Sequence, residues 1–407
     1  MAKRLLFSLF SIVFVITLAT SIILYGRGYR YDRQKNIVNP TGILSVSSYP
    51  EKASIYVNDK LTSATDASIT LPPDWYQVRI SKEGYQVWEK RIRVQGEVVS
   101  QIDALLIPNN PSLKAVTTTG ILSPHLSPSS TKVAYFITNA DTDPVTLKTK
   151  NGLWLMELRN GPLGNRPEPK QVFIANRDYN YDQAEIYWSA TEKEIIIAFI
   201  DPKTKSASPY LAYLVSQENF GNPTIDVTFR FNEIIQDWQQ EINQDENLKL
   251  ATLNPQVSLF LSENTDQIRF SPDDSKILYQ ATASAELAPI KIPPLIGVNP
   301  TEEVRKIEKD KYYIYDIKED KNYYLTDVSK SQTDVSAPIW YTDSKHFLIA
   351  EKDKIYIMDY DRQNKRSLYS GPFVDNLVFP WAPGGKIIIL TNFNQKELAD
   401  LYEVDLR

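Results

Sequence analysis

The chain has 407 residues, of which 45 are basic and 50 acidic, so its formal net charge is −5. A nucleic-acid partner normally requires a basic face, and this balance gives it no support. Cysteine is absent, which excludes disulfides, thiolate metal sites and a cysteine nucleophile. The 24 tyrosines, 7 tryptophans and 25 prolines indicate mainly β structure, and the length suffices for two or three domains.

The N-terminus carries an apolar segment, residues 5–25, without a charged side chain. At about 1.5 Å of rise per residue, such a helix spans the roughly 30 Å hydrocarbon layer of a membrane. A cleaved signal is the alternative, but its one weak cleavage candidate, near Ala19, lies inside the apolar run. We therefore expect a single-pass signal-anchor, with residues 1–4 in the cytoplasm and the C-terminal domains outside. Residues 26–40 follow as a juxtamembrane linker whose Arg and Tyr side chains suit the headgroup layer.

Residues 41–108 have the pattern of a small all-β unit. Two alternating runs flank the break Pro50-Glu51-Lys52-Ala53, and this arrangement predicts a β-hairpin. Further alternating runs cover residues 67–71, 75–80, 85–94 and 98–106. Five or more short strands in a unit of this size predict a compact sandwich.

The motifs of this unit resemble the PEGA domain, a β-sandwich module of prokaryotic envelope proteins. The resemblance rests on the break at residues 50–53 and on a set of later positions: Tyr76, Val78, Arg79, Gly84, Tyr85 and Trp88. Lysine stands at position 52, where the motif usually has glycine, so a turn that requires positive φ is not expected there. The resemblance implies a structural role and an envelope location rather than a reaction.

Residues 111–407 contain an internal repeat. Each copy has an aromatic or apolar residue, a polar turn, a lysine, and then a run of β-formers. The copies begin near residues 126, 187, 270, 340 and 381. Such units resemble the blades of TolB-like and WD-repeat-like propellers, so we predict a five- or six-bladed β-propeller in which residues 113–119 supply the strand that closes the ring.

Within the repeat, the apolar spacing of Ile234, Ile235, Trp238 and Ile242 predicts a short helical insertion at about residues 232–253. We interpret it as a helix that covers a blade edge; the alternative is a helix that binds a partner.

Candidates for chemistry are few, and we predict no catalytic, cofactor-binding or metal-binding residues. The two histidines, His125 and His346, lie at turn or strand-edge positions of the repeat. Two Asp/Asn runs, at residues 139–143 and 178–182, lack the glycine and glutamate of a calcium loop and are interpreted as solvated turns. The repeated aromatics Trp188, Phe270, Trp340 and Trp381 suggest either sugar stacking or packing between blades, and their equivalent positions favour packing.

One loop is a candidate for partner contact. Its apolar residues would form an exposed patch unless something covers them, and such patches often mark interactions. They are Ile290, Ile292, Leu295, Ile296 and Val298. Packing of this loop on the propeller's own edge is the alternative that we favour slightly.

Together these features predict a membrane-anchored, extracytoplasmic and non-catalytic binding or scaffold protein of the cell envelope. Its propeller would present a surface for an envelope protein, a peptide or a cell-wall glycan. The alternative is an enzyme that acts on envelope polymers at the propeller funnel.

Overall fold

The computed structural model describes residues 2–26, 28–32, 37–138, 150–161, 164–165, 167–175, 179–181, 184–200, 208–216, 224–328, 336–382, 384–393 and 398–406. The chain divides into two compact units. The first comprises Met1–Asn109 together with Lys291–Glu303, and the second comprises Asn110–Ile290 together with Val304–Arg407.

The first unit begins with helix α1 (Ala2–Gly26). Its segment Leu9–Gly26 is long and apolar enough to cross a membrane, and none of it is buried against the rest of the chain. A helix that is apolar all round but unburied is typical of a membrane span or a signal sequence, not of a core helix. An antiparallel pair follows, formed by β1 (Tyr29–Asp32) and β2 (Ile37–Pro40).

A β-sandwich follows. Its strands are β3 (Gly42–Tyr49), β4 (Ser54–Val57), β5 (Lys60–Ala64), β6 (Ala67–Leu71), β7 (Asp74–Ser81), β8 (Trp88–Val94) and β9 (Val99–Leu105). One sheet has the order β6-β3-β9, with β3 and β9 parallel, and the other has the order β5-β4-β7-β8. Alternate side chains of both sheets point inward, as the period of two requires. The largest core contributors include Leu44, Ile55, Ile80, Trp88 and Ile102.

The turn at residues 50–53 does not close a hairpin, so that prediction was wrong. The strands on its two sides, β3 and β4, belong to different sheets, and the chain crosses from one sheet to the other here. Alternation identifies a strand but does not identify the strand with which it pairs. Thr65 holds the crossing, because its carbonyl accepts from the amide of Lys52 at 3.1 Å and its hydroxyl from the amide of Ala53 at 2.9 Å.

Lys52 has a φ of 61°, which lies in the left-handed region. The crossing therefore does require positive φ at the position where the motif usually has glycine, and lysine adopts it against its steric preference.

The second unit contains five four-stranded antiparallel sheets among its described residues, one for each copy of the repeat. Strand β10 (Ser112–Ala115) precedes them. Blade 1 consists of β11 (Leu122–Leu126), β12 (Lys132–Ile137), β13 (Gly152–Glu157) and β14 (Lys170–Ile174). Blade 2 consists of β15 (Ala184–Trp188), β16 (Glu194–Phe199), β17 (Leu211–Ser216) and β18 (Ile225–Asp226).

Blade 3 consists of β19 (Thr265–Phe270), β20 (Lys276–Ala281), β23 (Lys311–Asp316) and β24 (Lys321–Asp327), with the ribbon β21 (Ala285–Glu286) and β22 (Lys306–Ile307) between its second and third strands. Blade 4 consists of β25 (Ile339–Trp340), β26 (His346–Glu351), β27 (Lys354–Asp359) and β28 (Arg366–Ser370). Blade 5 consists of β29 (Val378–Trp381), β30 (Lys386–Thr391) and β31 (Asp400–Asp405), and β10 is its fourth strand. The first strand of the unit thus pairs with the last, which confirms the predicted closure.

Neighbouring blades share apolar cores, as expected of a propeller. One apolar cluster contains residues of blades 1 and 2, a second contains residues of blades 5 and 1, and a third contains residues of blades 3 and 4. Blades 4 and 5 are joined by Tyr341, whose hydroxyl accepts a hydrogen bond from the amide of Gly385 at 2.5 Å.

Two helices follow blade 2 in the chain and pack against blades 2 and 3. Helix α2 (Phe231–Ala251) packs Phe231 and Trp238 against blade 2, and helix α3 (Pro255–Asn264) packs Val257 and Leu261 against blade 3. The all-β fold with a helical insertion is therefore confirmed. Apart from the ribbon β21–β22, the described residues of the second unit contain no further sheet, and the two helices lie between blades 2 and 3 in the chain.

Candidate functional site

The predicted contact loop is divided between the two units. Ile290 packs in the core cluster of blade 3, and its amide donates to Asp320 Oδ2 at 2.7 Å. Ile292, Leu295 and Ile296 belong instead to the segment Lys291–Glu303 of the first unit, where their side chains are 80%, 44% and 69% exposed. Val298 is half-buried in the same segment. The expectation that the loop packs on the propeller's own edge was wrong from residue 291 onward.

Gly297 fixes this segment to the PEGA-like sandwich. Its amide donates to Gln95 Oε1 at 2.6 Å, and a Cβ at this position would lie 2.2 Å from Val98 Cγ1. Its φ is +78°, so both the close approach and the left-handed backbone require glycine here.

Gln95 and Val98 belong to the turn between β8 and β9, which lies beside the start of β3. The amide of Glu97 donates to the carbonyl of Thr41 at 3.0 Å, and the amide of Ile43 donates to the carbonyl of Val98 at 3.0 Å. This end of the sandwich is therefore the end at which the chain enters from α1.

Two backbone hydrogen bonds connect the end of α1 to this end of the sandwich. The amide of Gly28 donates to the carbonyl of Tyr25 at 3.1 Å, and the amide of Thr41 donates to the carbonyl of Gly28 at 2.9 Å. The Thr41 hydroxyl also donates to the carbonyl of Gly28. The exposed tip formed by Ile292, Leu295 and Ile296, called the apolar tip below, is thus attached to the end of the sandwich that faces α1.

Two sandwich residues at this end extend the apolar surface. Ile43 and Val99 are register partners in β3 and β9, and their side chains are 41% and 56% exposed. They flank Val98, the residue that Gly297 contacts.

The repeated aromatic residues are part of the core. Trp188, Trp340 and Trp381 are buried, and Phe270 is half-buried against the cluster of blade 3. The packing interpretation is confirmed for the three tryptophans, whose rings are not available for sugar stacking, and Phe270 packs on its cluster with part of its surface exposed.

A row of charge pairs marks the start of the second strand in several blades. Lys276 Nζ lies 3.6 Å from Asp316 Oδ2 in blade 3, and Lys386 Nζ lies 2.5 Å from Glu403 Oε1 in blade 5. In blade 4 the equivalent residue is His346, which faces Asp359 across the sheet in the same register as Lys276 faces Asp316.

His346 is buried between two carboxylates. Its Nδ1 lies 2.6 Å from Asp343 Oδ2 and its Nε2 lies 3.2 Å from Asp359 Oδ1. Burial alone would lower the pKa of His346, but Asp343 and Asp359 outweigh it and raise the pKa to about 10. The imidazolium therefore occupies the position that lysine occupies in blades 3 and 5, although the lysine of this copy, Lys345, directly precedes it. Aligning the copies on their apolar runs, rather than on their lysines, is the sequence signal that would have shown this. His125 differs, because burial lowers its pKa.

A cleft of about 610 Å³ lies beside blade 1, and the sequence did not predict it. Its apolar part contains Leu155, Met156 and Val172, and its charged part contains Glu157, Arg159, Glu168 and Lys170. Arg159 Nε lies 2.8 Å from Glu157 Oε2. Lys132 also lines the cleft, and its Nζ lies 3.8 Å from Glu192 Oε2. Glu168 and Lys170 are exposed. The volume lies within the usual range of ligand sites.

Among the residues that the structure describes, no group of three His, Asp or Glu side chains is arranged to hold a metal ion. Of the two Asp/Asn runs, all of residues 139–143 and both aspartates at 178 and 182 lie outside the described part of the chain.

Comparisons with known proteins fit this architecture. Residues 41–109 match the PEGA domain. Among curated protein sequences, none matches the chain.

The chain is similar to three solved structures, each with low identity and a low TM-score. A putative TolB from Agrobacterium tumefaciens has 11% identity and a TM-score of 0.19, with 82% of this chain and 90% of that chain covered. A Myceliophteria thermophila β-propeller domain has 10% identity and a TM-score of 0.23, with 73% and 86% covered. A luciferin-regenerating enzyme has 8% identity and a TM-score of 0.24, with 73% and 95% covered.

At TM-scores this low the likenesses carry no argument about function, and the propeller assignment rests on the five sheets and their closure by β10. The chain therefore combines an apolar N-terminal helix, a PEGA domain at residues 41–109 and a β-propeller.

Proposed function

We propose that this protein is a membrane-anchored, non-catalytic binding protein of the cell envelope, whose propeller binds a peptide segment of another envelope protein. Helix α1 is retained as the anchor, and the PEGA domain and the propeller lie outside the membrane. The cleft beside blade 1 is the observation that carries the binding role.

The lining of the cleft favours a peptide over a glycan. Pyranose rings usually stack on exposed aromatic faces, and none of the described lining residues is aromatic. Apolar side chains beside charges of both signs suit the mixed side chains of a polypeptide. The burial of Trp188, Trp340 and Trp381 removes the sugar-stacking residues that the sequence offered.

The anchored arrangement is supported by the connection between α1 and the PEGA domain. The carbonyls of Tyr25 and Gly28 accept the hydrogen bonds that join the helix end to Thr41, at the first strand of the domain. A retained helix is consistent with this connection, since its last turn takes part in it.

Topology is tested by cysteine labelling in intact cells, because the native chain has no cysteine. A single cysteine replaces Lys52, which is exposed on the PEGA domain. We expect a membrane-impermeant maleimide to label it before lysis, in protein that stays with the membrane after alkaline washing. Labelling only after lysis, or release by the wash, would contradict the proposed topology.

Binding is tested by site-specific photo-cross-linking of the full chain in cells. A photoreactive residue replaces Glu168 in the cleft or, as the matched control, Glu263 on α3, which is also an exposed acidic position. We expect a discrete protein adduct from position 168 that is absent from position 263 and is weakened by Lys170→Glu. The same adducts from both positions, or none from 168, would refute the cleft as a peptide site.

A further inference from the structure

We propose that the apolar tip, formed by Ile292, Leu295 and Ile296, inserts into the headgroup layer of the membrane that α1 crosses. The inference rests on the proposed function, since it requires α1 to remain in the membrane. It assigns the tip to a lipid surface rather than to a protein partner.

The tip is apolar without interruption. Ile292 and Ile296 are 80% and 69% exposed, and the two prolines between Ile292 and Leu295 are also exposed. No charged residue occurs from Ile292 to Val298. Such a surface is unfavourable in water and favourable at the boundary between headgroups and acyl chains.

The position of the tip on the PEGA domain points to the membrane. Gly297, directly after Ile296, is bonded to Gln95 in the turn between β8 and β9. That turn is hydrogen-bonded to the backbone of Thr41. Thr41 is hydrogen-bonded to Gly28, and Gly28 is hydrogen-bonded to Tyr25 at the end of α1. The tip is therefore joined to the end of the domain that the membrane anchor enters.

The surroundings of the tip also suit an interface with lipid. Ile43 and Val99 continue the exposed apolar surface on the same end of the domain. In the linker, the Arg30 guanidinium lies 3.9 Å over the Tyr25 ring, and arginine and tyrosine are typical of the headgroup level.

A second protein chain fits the tip less well. A stable protein interface needs about 800 Å² on each partner, more than three aliphatic side chains supply. Shallow insertion of a few apolar side chains is sufficient where a transmembrane helix already holds the protein at the membrane.

The experiment uses the full chain reconstituted into vesicles of phosphatidylcholine and phosphatidylglycerol. Single cysteines replace Ile292, Ile296, Lys52 or Ile16, one at a time, and carry an environment-sensitive fluorophore. Lys52 is the matched control, because it lies beyond the far end of the eight-residue strand β3, about 26 Å from the tip end. Ile16 lies within the segment of α1 that can cross a membrane and reports on the anchor itself.

We expect the labels at positions 292 and 296 to show blue-shifted emission and an about twofold loss of intensity with nitroxide-labelled lipids, as for side chains buried 5–10 Å into the interface. The label at 52 should show neither effect. Quenching at 16 but not at 292 and 296 would overturn this inference and leave the anchor intact. A blue shift at the tip without quenching by lipid would also overturn it, because a protein contact would then cover the tip.

Loss of quenching at 16 would refute the anchor and the inference together. A second variant separates insertion from folding: Leu295→Asp changes an exposed side chain and should reduce quenching at 296 while the spectrum of the label at 52 stays unchanged. Undiminished quenching at 296 in this variant would contradict insertion of the tip.

Discussion

The PEGA domain and the propeller are both β structures, but their contacts are specified in different ways. The PEGA domain has one core between two sheets, and its connections depend on contacts that occur once, such as Gly42 against Gln95 and Lys52 against Thr65. The propeller repeats one unit five times and places a comparable charge pair at the start of the second strand in blades 3, 4 and 5.

This difference shows how each region tolerates change. In blades 3, 4 and 5 of the propeller, the repeated position carries lysine or histidine, and in each case a cation lies beside a carboxylate. The strand register of the blade supplies this geometry, so one cation can replace the other. In the PEGA domain, the backbone of Gly42 lies directly against the backbone of Gln95, so that there is no space for a Cβ atom at position 42. Substitutions at single-copy backbone contacts should therefore cost more than exchanges within the repeated pair.

The largest effect is expected for Gly42→Ala. The new Cβ would lie 2.3 Å from the carbonyl oxygen of Gln95 and 2.5 Å from Val94 Cγ1, which the strand pairing of β3 cannot relieve by a side-chain rotation. We expect the PEGA domain to lose about 3 kcal/mol or more of stability. Hydrogen exchange of the full chain, resolved by peptide, measures this loss in residues 42–105 and should leave the blades unchanged.

Gly84→Ala is the matched control for this change. Gly84 has a φ of +83°, but an added Cβ would meet nothing within 4 Å. Only backbone strain, about 1 kcal/mol, should result. Equal losses in both variants would show that the contact at Gly42 is not specific.

In the propeller, His346→Gln should destabilise blade 4 by about 3 kcal/mol, because Asp343 and Asp359 would face each other without a cation. His346→Lys restores the residue that blades 3 and 5 carry at this position and should retain most of the stability. Pulse proteolysis in urea, with the fragments identified by mass spectrometry, compares the two variants. A lysine variant as unstable as the glutamine variant would refute the equivalence of the blades.

The raised pKa of His346 predicts that blade 4 loses stability at alkaline pH. The pKa of His346 is raised to about 10 in the folded protein, from 6.5 for the unfolded side chain. A raised pKa means that the stabilisation is complete below pH 6.5 and is lost as the pH rises towards 10. By pH 9 the loss in blade 4 should be about 3 kcal/mol, and it should be absent in His346→Lys. An identical pH profile for both proteins would contradict the assignment.

The sequence predicted most of the propeller because repetition is visible within one chain. Five visible copies predicted five or six blades, and the described residues form five four-stranded sheets. The strand that closes the ring was predicted from the start of the unit. Helix α3 was missed, although Asn254 caps it and Pro255 opens it, a pattern that predicts a helix start.

Other features could not be predicted, since they depend on contacts between distant residues. The alternation of β3 and β4 gave the strands but not their separate sheets. The loop after Ile290 was predicted to be apolar, but its attachment to Gln95 joins positions 202 residues apart, and no local pattern specifies such a contact. The charged surroundings of His346 likewise appear only when the strands are in register.

The smallest predicted effect concerns Lys52→Gly, and here a single-copy position should gain stability. Lysine at φ 61° carries a left-handed strain of about 1 kcal/mol, which glycine relieves, while the exposed side chain contributes no core contact. The gain is partly offset by the greater chain entropy of glycine in the unfolded state, so the PEGA domain should become more stable by about 0.5 kcal/mol. Lys52→Ala is the matched control, because it removes the same side chain without relieving the strain and should leave the stability unchanged. Hydrogen exchange in β3 and β4 measures both variants, and an equal gain for alanine would show that the side chain, not the backbone, limits the stability of this crossing.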